Sequence, residues 1–203
     1  MKTTDTPGTA VLLCGDRRIP RPLTGLPVLP VDGPTALDSA IETSARLLVV
    51  GDDGDLAAVL TRLLRADRLD VEVGDARNCR TARRARIGIP RRVPLIRDET
   101  GRVIVGAATW RGDGGPLHGE AVVDDTVLFD GEVAGVRIEP TTALPGLRAG
   151  LITRRGRVRR WVAGRAAQLG TTGAVVVRDG VPVARPVRRS TFYRHTEGWL
   201  RVG

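Results

Sequence analysis

The sequence predicts an α/β unit followed by an all-β unit, a small parallel-sheet domain packed on a β-sandwich. Three observations carry this expectation. Residues 46–73 read strand, turn, helix, strand, the element of a parallel sheet. From Val93 onward, short apolar runs recur between Gly- and Asp-containing turns, spaced at roughly 8–12 residues as in sandwiches and barrels. The chain is 41% hydrophobic but only 3% aromatic, so its cores must be built from Val, Leu, Ile and Ala. At 203 residues it holds one substantial domain or two small ones. We place a tail at 1–9, a compact α/β domain at 10–90 and a β-rich domain at 91–203.

In order along the chain, Ala10 to Cys14 is a short buried strand closed by Gly15 and Asp16. Residues 16–35 contain Pro20, Pro22, Pro27, Pro30 and Pro34, and proline resists both helix and central strand, so this is an extended connection. Ala36 to Ser44 has helical character. Arg46 to Val50 is an apolar run of buried-strand type, ending at Gly51-Asp52-Asp53-Gly54. Beyond it, Leu56, Val59, Leu60, Leu63 and Leu64 recur on one face of an amphipathic helix, with Asp55 placed to cap it. Leu69 to Val73 alternates as the following strand. Residues 74–92 hold seven arginines and read as a loop or a short helix.

In the back half, Val93 to Ile96 and Arg102 to Thr109 form a hairpin around residues 97–101. Further strands are expected at 121–123, 126–129, 134–138, 147–152, 157–162, 174–178 and 181–187.

Composition narrows the classes of function. Net charge is +9, and Lys2 is the only lysine among 32 basic residues. Arginine suits bidentate contact with phosphate and carboxylate, so a phosphate-containing ligand, an anionic lipid or a nucleic acid fits as partner. Genome composition bias accounts for the arginine excess equally well. No nucleic-acid motif accompanies the charge. No run approaches the roughly 20 apolar residues of a membrane span. Ala10 to Cys14 is too short for a signal-peptide core, so a cytoplasmic protein is expected. Cys14 and Cys79 fit no metal spacing and no disulfide framework. The two histidines, His118 and His195, sit in no metal cluster. Nothing in the sequence sets the oligomeric state.

The turn Gly51 to Gly54 is the focal site. Ligands of open α/β sheets bind beyond the carboxyl ends of strands, where the next helix presents unpaired amides and a positive dipole end. Glycines allow backbone to approach a phosphate, and carboxylates can hold a bridging magnesium ion. Without a divalent ion, Asp52, Asp53 and Asp55 repel a phosphate. The competing reading is a solvated acidic turn.

Leu47 to Leu60 resembles the glycine-rich nucleotide loop of diacylglycerol and related lipid kinases, in the NAD-kinase superfamily. That family's loop reads Gly-Gly-Asp-Gly-Thr, then Leu and a helix. Gly51, Asp53, Gly54 and Leu56 keep the pattern; Asp52 replaces the second glycine and Asp55 the threonine. Ala57 and Ala58 stand where an Asn-Glu pair is common. The resemblance implies a nucleotide-type front domain that binds ATP and magnesium, with Gly51, Asp53 and Gly54 as cofactor-binding residues. It also implies a β-sandwich whose Asp-Gly-Glu turn supplies a catalytic carboxylate. Asp130-Gly131-Glu132 keeps that glutamate, so Glu132 is the candidate general base; Asp179-Gly180-Val181 has lost it. The family's second loop, of Gly-Thr-Gly-Asn type, has no counterpart, since residues 169–173 lie in the wrong half.

Two features of the back half complete the reading. Arg154 to Trp161 is a basic strip in which Arg157 and Arg159 share one strand face, beside a single tryptophan. Phe192, Tyr193 and Trp199 cluster near the C-terminus and are expected to close the β core, with His195 and Glu197 as a possible acid–base pair or a structural one. Two functions remain open. One is a divergent lipid-kinase-like protein with a residual phosphate-binding turn, catalytically active or not. The other is a non-catalytic basic protein contacting an acidic partner.

Overall fold

The computed structural model describes residues 8–31 and 33–203, so most of the expected tail, residues 1–7, lies outside the described residues. The chain divides into two compact units. One comprises Met1–Val93 with Glu197–Gly203, the other Pro94–Thr196. No helix among the described residues is long and apolar enough to cross a membrane.

The first unit is built on a six-stranded sheet. Its strands are β1 (Thr9–Leu13), β2 (Val28–Pro30), β3 (Arg46–Val50), β4 (Glu72–Asp75), β5 (Arg91–Val93) and the C-terminal strand Trp199–Val202. The order is β2-β1-β3-β4-C-terminal-β5, parallel throughout except at the β5 edge. β3 is buried along its whole length, as suits a central parallel strand of Leu and Val. The helices are α1 (Pro34–Thr43), α2 (Asp53–Arg65) and α3 (Cys79–Ile87). Leu56, Val59, Leu60 and Leu63 are buried, the face that their spacing requires.

Two local expectations change. The strand expected at Leu69 to Val73 forms later, at Glu72–Asp75, because the chain leaves α2 through a turn with Asp67 at φ 55°. The arginine-rich stretch is a helix: Asn78 caps α3 by accepting the amides of Arg80 and Thr81, while Thr81 accepts the Asn78 amide. Ala82 and Ala85 form its inner face, and Gly74 on β4 lets that face approach, since a Cβ there would stand 2.5 Å from that of Ala85.

The second unit is one 11-stranded antiparallel sheet folded over a single core. Its strands are β6 (Ile96–Asp98), β7 (Val103–Ile104), β8 (Ala108–Gly112), β9 (Leu117–Val123), β10 (Thr126–Val133), β11 (Val136–Pro140), β12 (Leu147–Ile152), β13 (Val158–Gly164), β14 (Ala166–Arg178), β15 (Val181–Pro182) and β16 (Val187–Arg194). The long β14 joins the two ends, pairing β9 through residues 167–171 and β8 through residues 174–178. Trp110 fills the core, donates its indole N–H to Ser190 Oγ at 3.0 Å and lies 5.9 Å from the Phe192 ring. The expected hairpin is shorter than its apolar run, because Asp98 turns the chain. Its fully buried carboxylate accepts the Thr100 amide and hydroxyl and the Arg102 amide, and pairs with Arg178 Nε at 2.5 Å.

The aromatic tail separates. Phe192 enters the β core and Tyr193 lies beneath the Arg97 guanidinium, whereas Trp199 is buried in the sheet of the first unit. Glu197 pairs with Arg92 at 2.6 Å, and the His195 amide donates to the Leu95 carbonyl.

Candidate functional site

The turn Gly51 to Gly54 stands at the C-terminal end of β3 and opens α2. Gly51, Asp53 and Gly54 therefore occupy the position expected of a ligand loop in an open α/β sheet. Its internal chemistry differs from the expectation in one respect. Asp52, not Asp55, is the cap: it is extended at φ −99° and ψ −170°, so α2 starts at Asp53, and Asp55 falls at the third helical position. Asp52 Oδ1 accepts the Asp55 amide at 3.0 Å, and Asp55 Oδ2 accepts the Asp52 amide at 2.8 Å. This reciprocal pair is a capping box made of two aspartates, and such a cap contributes about 1 kcal/mol to a helix.

Gly51 serves this arrangement. A Cβ at Gly51 would stand 2.6 Å from both the Cβ and Oδ2 of Asp55. The missing side chain makes room for an internal carboxylate.

Two arginines pair with the carboxylates of the turn. Arg17 Nη2 lies 3.0 Å from Asp52 Oδ2 and 3.7 Å from Asp55 Oδ2. Arg77 Nη2 holds Asp53 at 2.6 Å, and its Nε holds Asp75 at 2.8 Å. The Asp52 carboxyl is held below the usual carboxylate range first by the Asp55 amide, which outweighs the opposing effect of burial, and then by Arg17 and the Gly54 amide. Nearby Cys14 is pushed up to about 11, first by burial and then by the charge of Asp55, so it is a thiol at neutral pH. Neither Arg17 nor Arg77 stands out in the sequence. The one signal pointing to them is three carboxylates within four residues, which require counter-charges.

The turn's own carboxylates occupy amides that a nucleotide phosphate would use. A phosphate at a helix N-terminus needs free amides, and those of Asp52 and Asp55 already bind carboxylates. Of the three carboxylates, Asp52 has both oxygens engaged, by the Asp55 amide and Arg17, while Asp53 and Asp55 each have one oxygen engaged. Among the described residues no group of three or more His, Cys, Asp and Glu side chains is placed to hold a metal ion.

Glu132 belongs to the second unit and lies within a strand rather than a turn. Asp130, Gly131 and Glu132 pair with Glu120, Gly119 and His118 across β9 and β10. Glu132 Oε2 is 3.3 Å from His118 Nε2, and both side chains are about half exposed. The other Asp-Gly candidate does form a turn, between β14 and β15, and its role is structural. The Asp179 carboxylate accepts the amides of Val105, Gly106 and Ala107. Residues 169–173 are part of β14.

The basic strip also departs from simple alternation. Pairing with β12 slips between Ala149 and Leu151, and Arg160 takes φ 54°, so the strand changes phase there. One face of the exposed Trp161 is covered by Arg148, whose guanidinium stands 4.3 Å from the ring centre.

A mostly parallel sheet with helices, followed by a large antiparallel sheet, defines the two-domain fold of diacylglycerol kinases and NAD kinases. The chain is similar to a diacylglycerol kinase from Bacillus anthracis str. Sterne, with a TM-score of 0.69 and 11% identity over 99% of this chain and 98% of the other. It is also similar to an NAD kinase from Archaeoglobus fulgidus solved in complex with ATP, with a TM-score of 0.62 and 13% identity over 96% and 93%. At these identities the likeness is one of fold. No family model and no curated protein matches the sequence.

Proposed function

We propose that this chain is a lipid-kinase-like protein that has exchanged nucleotide binding at the β3–α2 turn for internal closure. In this reading it acts without catalysis, by contacting an acidic partner through its arginines. The observation that carries the proposal is the Asp52–Asp55 reciprocal cap over Gly51. It places internal carboxylates on the turn's amides, and a nucleotide phosphate would have to displace two of them together with their Arg17 clamp. Like charges at the same amides make that exchange unfavourable.

Calorimetry with ATP and magnesium tests it. No saturable heat is expected up to millimolar nucleotide, and no phosphate is transferred to diacylglycerol in mixed micelles. Saturable ATP binding abolished by Asp53→Ala would overturn the reading. It would restore the catalytic alternative, in which Glu132, steadied by His118, serves as general base toward a lipid hydroxyl. The acidic-partner half has its own check, retention on immobilised heparin. Retention that weakens steeply with salt is expected, because phosphate or sulfate contacts release counterions. Failure to be retained at low salt refutes that half.

A further inference from the structure

The outer face of α3 and the chain just after it form the most unusual surface in the first unit. Arg80, Arg83, Arg84 and Ile87 are exposed along one side of the helix, at the one-turn spacing that aligns them. Ile89 and Arg91 follow, also exposed. Ile87 is 73% and Ile89 81% exposed, the first a full turn beyond Arg83 and Arg84, the second two residues from Arg91. The side chains of Arg80, Arg83, Arg84 and Arg91 have no ion pair or hydrogen bond among the described residues. By contrast, Arg17, Arg46, Arg62 and Arg77 elsewhere in this unit are all engaged by carboxylates.

The backbone on either side of Ile87 is anchored to the sheet beneath it. Arg46 on β3, nearly buried, donates to the carbonyls of Ala85, Arg86 and Gly88 at 3.3, 2.8 and 3.2 Å and pairs with Glu72 at 2.5 Å. The end of α3 is thereby pinned to the sheet by one buried guanidinium. Gly88 approaches so closely that a Cβ would stand 2.5 Å from the Arg84 carbonyl and 3.0 Å from Val202. The backbone is thus held at 85, 86 and 88, on either side of the exposed Ile87. Exposed aliphatic residues scattered singly need no explanation. Two within three residues, among four guanidiniums that have no partner among the described residues, form an apolar tip with a cationic collar.

The geometry points to this surface as a docking site for an anionic lipid bilayer, the guanidiniums meeting headgroup phosphates while Ile87 and Ile89 enter the acyl boundary. The charge is complementary to such a surface, and the apolar tip selects it over other polyanions. Nucleic acid offers phosphates but no apolar layer, and isoleucine has no ring on which a base can stack. This inference names the acidic partner of the proposed function and rests on that half of it alone. It requires nothing of the Gly51–Gly54 turn.

Co-sedimentation of the full chain with large vesicles tests it, one set phosphatidylcholine alone and one with phosphatidylglycerol as about a third of the lipid. Binding is expected only to the anionic vesicles. It should fall about ten-fold in Ile87→Ser/Ile89→Ser, and about five-fold for each arginine removed in Arg80→Gln, Arg83→Gln and Arg84→Gln. Arg157→Gln/Arg159→Gln, with similar charge loss in the second unit, should bind as the parent does. All these positions are exposed, and unchanged far-ultraviolet dichroism confirms folding. As a second readout, the Ile89→Trp variant should shift its emission to the blue on anionic vesicles, relative to the parent chain. No vesicle binding despite heparin retention overturns the membrane assignment while sparing the acidic-partner reading. Binding indifferent to the isoleucines, or lowered equally by the Arg157/Arg159 pair, or an unshifted emission from the Ile89→Trp variant, overturns it as well.

Discussion

Asp55 folds back over Gly51 to accept the Asp52 amide at 2.8 Å, in a space that any Cβ at Gly51 would occupy. The glycine and the second aspartate are thus one device. Gly51→Ala should displace the Asp55 carboxylate and cost about 1–3 kcal/mol, read from the urea midpoint. Asp55→Ala alone should cost about 1 kcal/mol. In the double variant the two losses should fall short of additive, because the alanine has already removed what the second change deletes. Strict additivity would show that the glycine and the carboxylate act separately.

Acid should weaken the first unit through Asp52. Its folded-state pKa is depressed below the ordinary value of 3.8, so the stabilisation is fully present above that value and is lost as pH falls through the folded pKa. Asp52→Asn should flatten this part of the acid limb when stability is measured from pH 6 downward. Glu139 adds a second leg in the other unit. Burial opposes its ionisation, but Arg137 and Arg148 at 2.6 Å outweigh that and lower its pKa. Glu139→Gln should remove that leg and leave the Asp52 contribution unchanged.

Thiol labelling should separate the two cysteines. Cys79 is exposed at the start of α3, while Cys14 is buried and held as a thiol by burial and the neighbouring aspartates. One equivalent of Ellman's reagent should react in the native protein at pH 8, and two in denaturant. Because the folded pKa of Cys14 is raised, its contribution is present below 9.0 and lost as pH rises toward about 11. Rapid reaction of both thiols in the native state would contradict this account.

The β core should depend on one buried charge. Asp98 has no exposed surface, accepts three hydrogen bonds from residues 100 and 102 and faces Arg178. Asp98→Ala should cost about 3–5 kcal/mol by leaving the guanidinium and two amides without a partner. Ser190→Ala should cost about 1–3 kcal/mol, since it removes only the acceptor of the Trp110 indole. Urea unfolding monitored by dichroism orders the two, and a reversed order would sink the argument.

How much of the fold is legible in the chain follows from the range of the interactions. The β3–α2 passage can be read because Leu56, Val59, Leu60 and Leu63 declare their buried face by spacing, and β12 because Leu147 to Ile152 is bounded by turns. The α3 helix is ambiguous, since its inner face is only Ala82 and Ala85 and depends on a glycine in a different strand. Residues 166–173 of β14 escape a local reading because Gly170 and Gly173 look like breakers. In the folded chain that stretch is carried by pairing with β9 and β16. Asp130 to Glu132 looks like a turn for the same reason, yet Gly131 sits opposite Gly119 in a ladder.

The sequence by itself determined the order of an α/β unit before a β-rich one, the run of β3 into α2 and the position of the acidic turn. Those features are set by periodicity and turn chemistry between near neighbours. Only the tertiary structure decided that Trp199 to Val202 returns to pair with β4 and β5, and that Arg17 and Arg77 close on the three aspartates. Partners separated by 24 to 35 residues or more leave no periodic trace in the chain; distance and charge in the folded state select them.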